Sequence, residues 1–113
     1  MSKIKIFALG GLNEEGKNMY VVKVDADIFI FDAGLKFASD NLLGVDYVIP
    51  NFDYIKENIK HVKGLFITHC HEKNMGAVCD IVKEIPSLKV YLTGFSAKVL
   101  KKELEESGIK FKN

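Results

Sequence analysis

The sequence predicts an α/β fold whose sheet starts antiparallel and continues with a parallel-type alternation. Strand-like runs separated by short turns fill the first third of the chain. From residue 51 onward, helical spacing alternates with short apolar runs rich in β-branched residues. No internal repeat or low-complexity stretch breaks this order, and the two prolines, Pro50 and Pro86, sit at element borders.

In the first strand Ile4, Ile6 and Ala8 alternate with Lys3, Lys5 and Phe7, and Gly10-Gly11 stops it. A polar loop over 13–18 leads to Met19–Val24, whose β-branched and aromatic side chains favour a strand. Asp25-Ala26-Asp27 makes a turn, and Ile28–Phe31 returns as a buried strand ending at Asp32-Ala33-Gly34. Residues 35–50 read as a long surface loop. Asn51 is placed to cap a short helix with Phe52, Ile55 and Ile59 on one face. Val62–Thr68 is a strand running into His69-Cys70-His71. Met75, Val78, Val82 and Ile85 then recur at helical spacing, and Pro86 ends that helix. Leu88–Leu92 is a further strand. Ser96 is read as the cap of a helix that turns Ala97, Leu100 and Leu104 inward, with Gly108 at its left-handed C-terminal position. Ile109–Phe111 is read as a last strand.

At 113 residues the chain has the length of one ordinary domain. A hydrophobic share of 48% with 27% charged residues suits a folded, water-soluble protein rather than a disordered one. Sixteen Lys and Arg against 15 Asp and Glu leave a net charge of +1, which excludes nucleic-acid binding by bulk charge but not by a local basic groove. No apolar run approaches the ~20 residues of a membrane span, and Met1–Lys5 lacks a signal-peptide core. Two cysteines, Cys70 and Cys79, make no disulfide scaffold and fit a reducing cytoplasmic setting. A strand so close to Asn113 needs a neighbour, so the chain is expected to be a piece of something larger.

The segment Phe66–Ala77 carries the chemistry. His69 and His71, at i and i+2 on leaving a strand, can point to one side and offer imidazole nitrogens to a metal, with Cys70 turned away. A catalytic zinc usually takes three protein ligands, and neither Glu72 nor Asn74 is a convincing third. On residues alone, the commoner meaning of such a pair is two polar side chains at a strand-to-helix turn.

Four blocks, Ala8–Tyr20, Phe31–Leu35, Gly44–Pro50 and Gly64–His69, resemble in order and spacing the opening of bacterial ribonuclease J. They cover nearly the whole chain. That family belongs to the metallo-β-lactamase superfamily with an inserted β-CASP domain. It acts in messenger RNA decay and ribosomal RNA maturation, as a 5′-to-3′ exonuclease and an endonuclease. The resemblance implies that residues 1–113 are the N-terminal segment of a metallo-β-lactamase αββα sandwich, about half of it, with the β-CASP insertion and C-terminal parts absent. It further implies RNA as partner, zinc or manganese as cofactor, and a homo- or hetero-oligomer with a ribonuclease J paralogue.

The family motif is His-x-His-x-Asp-His. His69 and His71 match its first two ligands, whereas the Asp position holds Lys73 and the last His position Asn74. In a two-metal mechanism those later positions hold the second ion, and a lysine ammonium repels a divalent cation at close range. The second site is therefore expected to be lost, leaving His69 and His71 as a remnant, and this chain is expected to hold less metal than the family or none. The pattern resembles the less active paralogue that some bacteria keep beside the active enzyme. Asp32 matches the family's first motif, where an aspartate supports the ligand loop through hydrogen bonds; a turn-forming Asp before Ala33-Gly34 is the other meaning. Lys73, near the place of the second metal, is expected to hold an RNA phosphate without cleaving it.

Gly10, Gly11 and Gly16 are expected to serve turn geometry more than phosphate contact. His61 reads as a solvated surface residue and Cys79 as core packing. The mixed cluster from Lys98 to Glu106 reads as the wet face of a helix. No catalytic residue is assigned. The leading expectation is a weakly active or inactive structural or RNA-binding partner of an active ribonuclease J. The alternatives are a metal-dependent ribonuclease in its full-length form, and an inactive interaction fragment whose uncovered sheet face makes it associate.

Overall fold

A computed structural model of the chain describes residues 2–12, 16–37 and 47–113. Residues 13–15 of the expected polar loop, and 38–46 of the expected surface loop with the block Gly44-Val45-Asp46, lie outside these. The strands are β1 (Ile4–Gly10), β2 (Met19–Val24), β3 (Asp27–Phe31), β4 (Lys36–Phe37), β5 (Tyr47–Val48), β6 (Val62–Phe66) and β7 (Val90–Tyr91). The helices are α1 (Asp53–Glu57), α2 (Glu72–Met75), α3 (Val78–Glu84) and α4 (Gly94–Glu106), with a 3-10 turn at Ile59–His61.

The main sheet has the order β1-β2-β3-β6-β7. Its first two pairings are antiparallel and its last two parallel, the mixed α/β arrangement that the strand and helix order predicts. Between β2 and β3, Val24 pairs with Asp27, and Asp25 supplies the left-handed φ of +54° that the turn needs without glycine. The Asp25 carboxylate and amide then exchange hydrogen bonds with the backbone of Lys3, pinning the start of β1.

One face of the sheet is covered. Val21, Ile28, Ile30 and Leu65 are buried against Ile55 of α1, Met75 of α2, Ile81 and Val82 of α3, and Leu100 and Leu104 of α4. The strand pleat sends Phe29 and Phe31 to the other face, where Phe31, Phe66 and Tyr91 stack at centroid spacings of 5.5 and 4.8 Å. The alternation in β1 puts Ile4 and Ile6 on this second face, 64% and 72% exposed, while Phe7 meets Tyr54 edge-on on the covered side.

Five expectations change. Residues 35–50 are not all loop, because Lys36–Phe37 pairs with Tyr47–Val48. The helix from Met75 to Ile85 is two helices, broken at Gly76-Ala77. The Ala77 amide donates to the Ala33 carbonyl, and the carbonyls of Lys73 and Asn74 accept from Asn18 and Ala33, so the i to i−4 ladder is spent on other loops. The last helix starts at Gly94 after Thr93, with Ser96 buried inside its first turn and joined to the Thr93 hydroxyl at 3.3 Å. Ile109–Phe111 forms no strand; the chain end meets the sheet through the Val90 amide on the Asn113 carbonyl. Asn51 is not the cap either: Phe52 holds that position without a side-chain bond, the Asn51 side-chain oxygen accepts from the Asp53 amide one residue earlier, and Ile59 falls in the 3-10 turn, whereas Gly108 takes φ +69° as expected. Among the described residues no helix is long and apolar enough to cross a membrane.

Among the described glycines the least room for a side chain is at Gly34, which donates to the Asn18 carbonyl and lies against the backbone of Lys73. A Cβ there would run into the Lys73 carbonyl, a backbone atom that cannot swing aside. Gly34→Ala is expected to destabilise the chain by about 3 kcal/mol, measured by urea unfolding.

Candidate functional site

Two loops meet at the C-terminal ends of β3 and β6, the place where a parallel pair in an α/β sheet presents its loops. One is Asp32–Leu35 and the other Thr68–Ala77. Backbone hydrogen bonds lace them together. Ala33 donates to Asn74, Leu35 to Glu72, and Ala77 to Ala33, at 2.7–2.9 Å.

Asp32 stands at the centre. It is 5% exposed and takes a φ of +67°, a left-handed conformation that only short polar residues adopt at tolerable cost. Its Oδ1 accepts from the Thr68 amide at 2.8 Å and the Thr68 hydroxyl at 2.9 Å. Its Oδ2 accepts from Asn74 Nδ2 at 2.8 Å. The Asn74 amide orientation is fixed by chemistry, since a carboxylate only accepts and the nitrogen must face it. Asp32 therefore ties the two loops together through its side chain, which goes beyond the turn-forming reading.

His69 and His71 are both exposed and share one side of the loop. Their rings stack at 5.5 Å with 19° between planes, while Cys70 between them packs against the core. Lys73 is half-buried on α2, and its backbone carbonyl is held by Asn18. Glu72, Lys73, Lys36 and the exposed Phe37 line a cavity of about 310 Å³. His61 is exposed on its 3-10 turn, as expected. Gly16 is buried with φ +98° beneath the Leu35 carbonyl, so this glycine serves the approach of a neighbouring loop.

The donor set can be tested against zinc or manganese. Among the described residues no three His, Cys, Asp or Glu side chains come together around a point that could hold a metal ion. The His pair offers two of the three ligands a catalytic zinc needs, Asp32 is consumed by Thr68 and Asn74, and Lys73 brings positive charge. The described residues do not fit a two-metal centre.

Thr68 is the functional residue that sequence reasoning passes over. A threonine ending a strand carries no distinctive signal, and its partner Asp32 is 36 positions away. On the far side of α2, Cys79 lines a cleft of about 420 Å³ with Glu72, Asp80, Glu103 and Glu106. Burial pushes its thiol up to about 11, and the negative charges of Glu103 and Asp80 add to the effect. The Glu103 carboxyl is raised by burial, then by Glu106 and Glu72. A raised thiol pKa means little thiolate at neutral pH. Alkylation of Cys79 by iodoacetamide, followed by peptide mass spectrometry in native buffer, is therefore expected to be slow at pH 8 and to keep rising to about pH 11.

No family model matches the chain. Individual relatives do. The chain is 47% identical over 102 residues to the protein named ribonuclease J of Mycoplasma pneumoniae, a match covering 90% of this chain and 18% of that one. It is 41% identical over 108 residues to ribonuclease J 1 of Streptococcus pyogenes, covering 96% and 19%. It is 41% identical over 105 residues to ribonuclease J2 of Bacillus subtilis, covering 93% and 19%. The chain thus spans about a fifth of the length of the curated relatives it matches.

Proposed function

We propose that this chain, which belongs to the ribonuclease J family, serves RNA decay and processing as a weakly active or inactive RNA-binding or structural partner of an active ribonuclease J. The observation that carries this reading is the donor set of the motif loop. Among the described residues His69 and His71 meet no third ligand, and the next motif positions hold an ammonium and a carboxamide. The fold reading goes with it: half of a metallo-β-lactamase αββα sandwich would be one sheet with helices on one face, and the mixed α/β sheet supports that reading.

Lys73 supplies the positive charge that a phosphate would otherwise find on a metal. Its neighbours in the adjoining cavity, Lys36 and the exposed Phe37, suit single-stranded RNA, which binds through backbone charge and base stacking. The pocket thereby keeps a phosphate-binding character without the ion that activates water.

Elemental analysis of the chain, purified without chelators or a polyhistidine tag, tests this reading. Zinc and manganese are expected far below one per chain, no higher than in the His69→Ala, His71→Ala double variant, with single-stranded RNA still retained on filters at low salt. Stoichiometric metal that disappears in the double variant would instead support the metal-dependent ribonuclease.

A second reading, the interaction partner, is favoured by the uncovered sheet face. Phe29, Phe31, Phe66 and Tyr91 form an aromatic row there, and the exposed Ile4 and Ile6 extend the apolar surface to the edge strand β1. Apolar patches beyond a few hundred Å² are rare on monomers. Sedimentation velocity at ~50 μM is expected to show self-association, typical of apolar interfaces, weakened in Ile6→Lys. A parent chain that sediments as a monomer would remove this reading.

A further inference from the structure

We infer that Asn74 organises the motif loop in place of a metal ion, so that the loop holding His69 and His71 is ordered without any divalent cation. The inference rests on the family reading, in which position 74 is a histidine ligand. A ligating histidine does two jobs at once: one ring nitrogen binds the metal and the other donates its N–H to a carboxylate. Asn74 has kept the second job and dropped the first. Its Nδ2 donates to Asp32 Oδ2 at 2.8 Å and reaches Thr68 Oγ1 at 3.4 Å.

The surrounding hydrogen bonds close on themselves. Thr68 gives its amide and hydroxyl protons to Asp32, and its hydroxyl oxygen is left to accept the second Asn74 proton. Asp32, 5% exposed, is thus held by three donors from two residues of the motif loop and calls on no cation. Among the described residues no buried side-chain nitrogen or oxygen is left without a partner. A loop built around a metal would aim a third donor at the point the two imidazoles share; among the described residues none is so placed, and the Asp32, Thr68 and Asn74 side chains are committed to each other. The backbone of the same residue repeats the tie, the Asn74 carbonyl accepting from Ala33 at 2.7 Å.

Asn74 is therefore a positioning residue, acting through Asp32 and Thr68 on the segment that carries His69 and His71. The conservative replacement is histidine, which retains an N–H donor. The disruptive one is aspartate, nearly isosteric, which lacks the donor and sets a second carboxylate against Asp32.

The test is amide hydrogen exchange on the intact 113-residue chain, read at Thr68, with the His69 and His71 ring resonances followed by NMR. In the parent, exchange at Thr68 is expected to be unchanged by EDTA or by one equivalent of zinc. In Asn74→Asp it is expected to speed up by about tenfold with the two imidazoles losing their separate shifts, and Asn74→His is expected to restore both. Thr68 protection in the parent that rises on zinc addition or falls with EDTA would overturn the inference, and that arm stands even where Asn74→Asp fails to fold. Unchanged Thr68 exchange in a folded Asn74→Asp would overturn it as well. Loss of RNA retention with these exchange results intact would count against the RNA-binding reading alone.

Discussion

A single buried carboxylate sets the relation between the two halves of this fold. Asp32 ends β3 in a left-handed conformation and draws Thr68 and Asn74 of the other loop onto its two oxygens. Charge-assisted hydrogen bonds of this kind are about twice as strong as neutral ones, and their removal in a buried place leaves several donors unsatisfied. Everything nearby follows from that fixed point. Ala33 and Leu35 can reach Asn74 and Glu72 only because Asp32 has brought the loops into register, and Gly34 must be glycine because the loops then touch. The broken helix is the other side of the same geometry. Lys73 and Asn74 give their carbonyls to Asn18 and Ala33, so α2 stops after one turn and α3 starts anew.

This explains which parts of the fold were legible in the sequence. Strands β1, β2, β3 and β6 were legible because their apolar patterns are local and their turn residues sit beside them. The inward face of α4 was legible for the same reason, from Leu100 and Leu104 at four-residue spacing. The break at Gly76-Ala77 was not, because Met75, Val78 and Val82 keep helical spacing across it and the bonds that interrupt the ladder come from residues about 40 to 55 positions away. The short β4–β5 ladder was hidden likewise, two residues on each side being too few to show a period. In the site, His69 and His71 share a side and Cys70 turns inward as expected, although β6 ends at Phe66 and these residues lie in the loop after it rather than in a strand. The Thr68–Asp32–Asn74 tie was not legible, since hydrogen bonds between short polar side chains leave no pattern in a single sequence.

The sheet has two faces of unequal character. The covered one carries Ile28, Ile30 and Leu65 at or near zero exposure, and the stability of the chain rests there. The uncovered one is aromatic and continuous, with Gly64 left bare so that the Tyr91 ring can lie across it toward Phe66. An edge strand bearing Ile4 and Ile6 borders that face, and its protection against strand addition is Lys5 directed to the other face and the register shift between Ala8 and Gly10. The lysines of β1 point to the other side: Lys5 faces Lys23 across the ladder, and the two sit beside Lys3 and Asp25. At this corner of the sheet the lysines therefore lie on the opposite face from the aromatic row.

The two departures at the end of the motif act differently, and their difference is chemical. Asparagine at position 74 gives a hydrogen-bond donor to Asp32, so the loop's architecture is satisfied by its own side chains, and on the proposed reading a metal ligand has been given up there. Lysine at 73 preserves nothing of an aspartate; it reverses the sign of the charge beside the His pair. Asn74 thus supports the loop through Asp32, whereas Lys73 bears on the charge beside the pair. An ammonium repels a divalent cation at close range, and two imidazoles fall short of the three ligands that a catalytic zinc takes. On the proposed reading, that same charge is what a phosphate would meet beside the His pair.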